Sequence, residues 1–292
     1  MWSYRRLRRL AISLKAGVPV MHRFRPRVLS VFMALAVASL MATSAVAQPM
    51  MGPPGAQNGK GDWAIVLGGG VAVRPTFEGS DRYRVLPVPF FSVTYRDMIS
   101  LDATGLNAYW RYENLQIGGG ITYNLGRTTD GGYFGRGDSR LAGMGDVPVT
   151  VGIRGFANYR LGPVVLGTSI TKFFVEGNNG LLIDGGIGIP YRVTDRLTLN
   201  GRVSTTWADG NYMRNFFGVT AAQSAASRFP TFAATSGIKD INLSLGAQYR
   251  LTDHWLVSTN LRFTQLLSSA QDSPLSFADR SVTGMVIFGY RF

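Results

Sequence analysis

From residue 63 onward, apolar side chains recur at every second position. In 241–251, Ile241, Leu243, Leu245, Ala247, Tyr249 and Leu251 alternate with Asn242, Ser244, Gly246, Gln248 and Arg250. In 115–126, Leu115, Ile117, Gly119, Ile121, Tyr123 and Leu125 alternate with Gln116, Gly118, Gly120, Thr122, Asn124 and Gly126. Residues 197–207 and 255–263 repeat the pattern. Side chains alternate across a strand, so each segment has one apolar and one polar face.

A soluble sandwich alternates too. Here the segments run to about ten to twelve residues, the length at which a tilted strand crosses a bilayer. Soluble strands are commonly nearer five or six residues, about half that. The connections alternate short and long: "RD" (96–97), "EN", "LGP", "TDR" and "TDH" on one side, much longer loops on the other. The pattern predicts an all-β transmembrane antiparallel barrel of twelve strands, at 63–74, 85–95, 98–104, 106–112, 115–126, 147–160, 163–174, 181–193, 197–207, 239–250, 254–267 and 281–292. An even count puts both barrel termini on the short-turn, periplasmic side. Closure removes sheet edges, and in lipid every backbone polar group must be satisfied. Trp63, Tyr95, Tyr112, Tyr159, Tyr191, Tyr249, Trp255 and Tyr290 fall near the periplasmic strand ends, as an aromatic girdle. The second strand fits poorly. Pro87 and Pro89 stand where ladder donors are needed, which predicts a start after Pro89 or a bulge.

Charge adds a leader. The formal net charge is +13, but residues 1–47 hold eight Lys/Arg and no acid. The rest keeps 22 of the 30 basic residues and all 17 acidic ones, a surplus of five. The high charge is therefore mostly N-terminal and is not a nucleic-acid footprint. "HRFRPR", then apolar "VLSVFMALAVASLMATS", then "AVA" at Ala45–Ala47 is the pattern of a secretory signal peptide cleaved after Ala47. The competing reading is a membrane anchor. Met21 is the expected start of an ordinary-length leader, and 48–62 ("QPMMGPPGAQNGKGD") a flexible lead-in. These features imply export to the outer membrane of a bacterial cell. There, lipid, lipopolysaccharide and the barrel-assembly machinery are the expected surroundings.

The loops carry more specific signals. "RPTFEGSDRYRVLPVPFF" (74–91), "GR" at 126–127 with "RLAGMGDV" at 140–147, "GNYMRNFFGVTAAQSAASRFPTF" (210–232) and the closing "YRF" resemble the MipA/OmpV family, the MltA-interacting protein type. The similarity runs in order over the mature chain. One departure is "TTDGGYFGRGDS" after the first "GR", where members often carry more acidic residues. The resemblance implies an outer-membrane barrel with extracellular loops. For the founding member it implies a scaffold joining a lytic murein transglycosylase to a bifunctional peptidoglycan synthase. Other relatives are described as adhesins or porin-like proteins.

Chemistry narrows the choice. There is no cysteine, which excludes disulfides and thiolate catalysis. After leader removal one histidine remains, His254, in the "TDH" turn. A lone histidine at the periplasmic end argues against Ser-His or Asp-His catalysis, so no enzyme and no cofactor are expected. Glu78 and Asp81, or Asp130, Asp138 and Asp146, are candidate Ca²⁺ ligands but read better as solvated loop charges. "GGG" at 68–70 and 118–120 lacks a P-loop lysine and reads as small residues on a curved wall. "RGDS" (136–139) is too short to carry a function.

Parity places Asp102, Arg111, Arg154, Asp184, Arg202 and Arg262 in the lumen. They form either a set of ion pairs plugging the barrel or a narrow anion-preferring pore. In the fifth long loop, Thr220 followed by Gln223 reads as a capping box opening a helix of about two turns, stopped by Pro230. Phe216, Phe217, Phe229 and Phe232 are expected to pin it to the barrel mouth as a gate or docking surface. Val286, Phe288, Tyr290 and Phe292, alternating at the C-terminus, resemble the assembly signal of outer-membrane barrels. Two roles follow: a scaffold or interaction barrel contacting a murein transglycosylase and a peptidoglycan synthase, or a channel for small anionic or neutral solutes.

Overall fold

The computed structural model describes residues 62–130 and 137–292. The expected leader (1–47), all of the lead-in except Asp62, and Arg136 lie outside these residues. Twelve antiparallel strands close into a barrel: β1 (Trp63–Pro75), β2 (Tyr83–Tyr95), β3 (Ile99–Asp102), β4 (Gly105–Tyr112), β5 (Leu115–Asn124), β6 (Thr150–Leu161), β7 (Val164–Phe173), β8 (Gly180–Arg192), β9 (Leu197–Ala208), β10 (Gly237–Arg250), β11 (Trp255–Leu266) and β12 (Arg280–Arg291). Each strand pairs with its sequence neighbours, and β1 pairs with β12 from Val66↔Arg291 to Val73↔Gly284. The seam is built on glycine because a Cβ at Gly68 or Gly70 would fall 2.0 Å from the carbonyl oxygen of Phe288 or Val286.

The registers fix the two faces all round. Leu67 opposes Tyr290, Leu261 opposes Gly284 and Leu243 opposes Phe263, so apolar residues face lipid together. Ile121, Ile153, Ile187, Val203, Leu245 and Phe288 are exposed outward, as burial in hydrocarbon requires. Polar residues oppose one another on the inner face: Ser244 with Arg202, Asn242 with Ser204, Gly120 with Arg154. All eight girdle aromatics lie on the outward face at the short-turn end, where Trp63 and Tyr95 rings stand 4.6 Å apart.

One expectation is corrected, and one feature is new. β2 neither starts after Pro89 nor bulges. It pairs with β1 in unbroken register through Pro87↔Val71 and Pro89↔Gly69. β3 reaches only Ser92–Tyr95 of β2, so among the described residues the other edge of 83–91 meets no strand. A missing N–H is tolerated on such an edge. The new feature is in β10, where the register shifts between Ile238 and Asp240. This bulge turns Lys239 away from lipid and buries it.

Candidate functional site

The long outer loops fold together over the barrel mouth. The loop after β9 carries two helices, not one: α1 (Gly210–Phe217) and α2 (Ala221–Ala226). α1 begins because the Asp209 side chain accepts from Tyr212 N at 2.8 Å, satisfying a free N-terminal donor. It buries Tyr212, Met213, Phe216 and Phe217, spaced to share one helical face. α2 opens on the expected capping box: Gln223 N donates to Thr220 Oγ1 at 3.2 Å, and Thr220 N donates to Gln223 Oε1 at 2.9 Å. It ends at Ser227, three residues before Pro230, so proline does not stop it. Ser227 is extended, and its hydroxyl accepts from Phe229 N at 3.3 Å, turning the chain out of the helix. The loop after β11 adds α3 (Ser268–Gln271).

The phenylalanines pack as expected, in two joined cores. Phe216 and Phe217 cluster with Val147, Tyr212, Met213 and Leu266. Phe229 clusters with Phe77, Leu141, Met144 and Leu275. Phe232 touches both. Phe217, Met213 and Leu141 are 0% exposed. The C-terminal carbonyls of α1 are satisfied from other loops. Arg127 Nη1 donates to Phe216 O at 2.8 Å and Ser273 Oγ to Phe217 O at 2.6 Å. A cation at a helix C-terminus also complements its dipole. Burial pushes the Arg127 guanidinium down to about 10, against the charges of Glu78 and Asp146.

Four of the five candidate calcium ligands, Glu78, Asp81, Asp138 and Asp146, meet protein donors. Asp138 is bound by Arg82 at 3.1 Å and Arg140 at 3.3 Å, and Arg140 reaches Asp81 at 2.6 Å while lying 4.0 Å over the Phe277 ring. Asp146 accepts from Thr129 N at 2.7 Å. Glu78 accepts from Lys239 Nζ at 3.1 Å, and Lys239 also meets Asp240 at 2.6 Å. Tyr212 OH donates to Glu78 Oε2 at 3.5 Å, and burial first, then the Glu78 charge, pushes this phenol well above its usual range.

Below this buried lysine the ionic chain continues into the barrel. Asn242 Nδ2 donates to Asp240 Oδ1 at 2.8 Å. Arg262 interacts with the charges of Asp240 and Asp184. Asp184 pairs with Arg202 at 2.8 Å, and Arg154 lies in the field of Asp184 and Asp102. Asp102 accepts from Thr104 N at 2.7 Å and Thr104 Oγ1 at 2.6 Å. Five of the six expected lumen residues thus share one electrostatic field, with Arg202–Asp184 as its direct ion pair. Arg111 stands apart, at the short-turn end, paired with Asp97 and lying 5.2 Å over the Tyr109 ring. Sequence reasoning missed Asp240, although its parity was inward, and Lys239, which only the bulge turns in.

At the periplasmic end, His254 Nδ1 lies 3.0 Å from Arg291 O, and its ring stacks on Tyr290 at 5.4 Å. Val286, Phe288, Tyr290 and Phe292 line the outer surface of the closing strand and tail, with Tyr290 edge-on to Trp255 at 5.0 Å and to Phe292 at 4.9 Å.

Several solved barrels are similar to this chain in outline. An outer membrane channel of Pseudomonas putida F1 matches at 9% identity and TM-score 0.43, covering 83% of this chain and 100% of that one. OmpF of Salmonella typhi, in complex with daunomycin, matches at 12% and 0.37, covering 78% and 97%. An anion-selective porin of Comamonas acidovorans matches at 12% and 0.31, covering 79% and 98%. No curated protein matches the sequence significantly. The family model for MltA-interacting protein MipA matches residues 67–292, from within β1 to the last residue. The chain belongs to the MipA family of outer-membrane β-barrels.

Proposed function

We propose that this chain is a non-catalytic interaction barrel of the outer membrane, holding a murein transglycosylase, and with it a peptidoglycan synthase, at the periplasmic face. The observation that carries this reading is the cap. Four outer loops share apolar cores centred on Phe217 and Leu141, and the charges beneath them pair with one another. A barrel stoppered in this way is suited to display and anchoring more than to bulk passage. The family's name, MltA-interacting protein, supports the partner class. The surroundings of His254, a backbone carbonyl and a tyrosine ring in an exposed turn, support a structural role for it. The test is cross-linking in the native envelope followed by affinity recovery of the barrel. Recovery of a murein transglycosylase or synthase is expected, and recovery of neither overturns the proposal. The inward arginines favour the competing reading, a narrow channel for small anionic or neutral solutes. Stable conductance steps from the wild-type barrel in a planar bilayer would favour that reading over ours.

A further inference from the structure

The inner face changes character along the barrel axis. Above the short-turn end, Arg154, Arg202 and Arg262 are accompanied by Asp102, Asp184 and, nearer the outer end, Asp240, all inward by register. At the short-turn end the balance is lost. The registers Arg111↔Gln116, Arg160↔Val165, Arg192↔Thr198, Arg250↔Leu256 and Arg291↔Val66 put five arginines on the inner face. Each is the last or next-to-last residue of a strand running toward the short turns: β4, β6, β8, β10 and β12. Among the described residues, no strand places an inward carboxylate at this level.

The sequence carries the same device as a repeat. Tyr191-Arg192, Tyr249-Arg250 and Tyr290-Arg291 end three of these strands, Tyr159-Arg160 stands one residue short of the end of β6, and Tyr112 follows Arg111 in β4. The tyrosines face lipid and are accounted for by the interfacial girdle. The arginines face the opposite way, so lipid contact does not account for them. Their partners are few and wet. Arg111 and Arg192 pair with the turn residues Asp97 and Asp195. Arg250 donates to the Asp195 carbonyl, and Arg291 to the Asp253 carbonyl at 2.8 Å. Arg160 has no carboxylate partner among the described residues. Solvent-exposed ion pairs are weak and exchange readily.

We propose that this ring, at the periplasmic mouth of the lumen, is the receptor for an acidic extended segment of a partner polypeptide. Guanidinium forks bind carboxylates in a planar, bidentate geometry that a row of acidic side chains can satisfy one after another. The proposal rests on the interaction reading above and adds to it the surface that reading needs. The periplasmic turns are only a few residues long, so a scaffold offers little outside the barrel on that side. A ring just inside the mouth supplies the contact, and the mid-barrel ion pairs and cap stop the segment short of the outer face.

The test uses the folded barrel in detergent micelles and fluorescein-labelled hexaglutamate, read by anisotropy. The variant Arg160→Glu/Arg192→Glu changes two exposed side chains, and its folding is checked by heat-modifiable gel migration. Binding is expected to weaken at least about tenfold in this variant and to fall with added salt. Arg228, on the cap, lies 5.2 Å over the Phe229 ring, and Arg228→Glu is expected to leave binding unchanged. Equal binding by the ring variant, equal binding of hexaserine, or displacement by inorganic phosphate at matched charge overturns the proposal, the last in favour of small anions. Recovery of the murein enzymes by the ring variant as well as by the wild type would sink the ring and leave the scaffold standing. Hexaglutamate binding without enzyme recovery would do the reverse.

Discussion

Lys239 Nζ lies 3.1 Å from Glu78 Oε1, tying the bulge of β10 to the first outer loop. The same ammonium meets Asp240 at 2.6 Å, and its side chain is 6% exposed. Replacing Lys239 by Met leaves two carboxylates in a buried site without their cation. Removal of one partner from a buried pair costs about 3–5 kcal/mol. The expected outcome is a cap that opens before the barrel does, seen as early protease cleavage in the outer loops while heat-modifiable migration is retained. Glu78→Gln, which leaves Asp240 in place, is expected to cost less. A Lys239→Met cap as resistant as the wild type would show that the pair does not hold the loop.

Asp138 gives the cap an acid limit. Burial raises its carboxyl pKa, but hydrogen bonds from Arg140 and the charges of Arg140 and Arg82 outweigh burial, and the group sits below the usual carboxylate range. The folded cap thus holds this proton more weakly than the unfolded chain does. Its stabilisation is fully present above the unfolded value of about 3.9 and is lost as pH falls through the lower folded value. Protease resistance of the third and first outer loops is expected to persist at neutral and mildly acidic pH and to fall only below about pH 4. Asp138→Asn is expected to be looser at neutral pH and to show less of this acid step. A step of equal size in the variant would assign it to other groups.

The barrel was legible in the sequence because lipid and lumen impose opposite polarity on alternate residues. The pattern therefore survives in every strand long enough to cross. The shortest strand, β3, alternates over only four residues, too few to mark its ends, so the predicted span of 98–104 is too wide. Parity reasoning also assumes an unbroken ladder. It puts Lys239 toward lipid, and only the register shift beside it reverses that. In the fifth loop, Thr220 and Gln223 announced α2 through a local motif. α1 has a signal of its own, Asp209 ahead of Tyr212, Met213, Phe216 and Phe217, but its aromatic face resembles a loop awaiting a partner. The cap was the least legible element because its cores join residues as distant as Phe77 and Leu275.

Thr220 and Gln223 close a capping box on a helix with no buried residue. Packing therefore contributes little to α2 itself, and the cap counts for more. Thr220→Ala is expected to cost about 1 kcal/mol locally. Amide hydrogen exchange at 221–226 should accelerate while the strands stay protected. Gln223 also donates from Nε2 to Met144 O at 2.6 Å, so Gln223→Ala should loosen the third loop as well. Unchanged exchange in both variants would mean that the flanking chain, not the box, holds the helix.

Phe217 is the largest of the fully buried side chains of the cap, at 0% exposure. Its ring lies among apolar residues of α1, the third loop and the end of β11. Truncation to Ala removes those contacts and leaves a cavity, at a cost of about 3–5 kcal/mol. The strands do not depend on this ring, so the barrel should still insert and migrate as a folded band. The cap should not remain closed. In a planar bilayer, or by uptake of a small neutral sugar into proteoliposomes, Phe217→Ala is expected to pass more than the wild type. Phe217→Leu, which keeps most of the apolar volume, should fall between the two. If Phe217→Ala is as tight as the wild type, the seal lies lower in the lumen, among the ion pairs of Asp184, Arg202 and Asp240. Closure would then belong to the barrel wall and not to its loops.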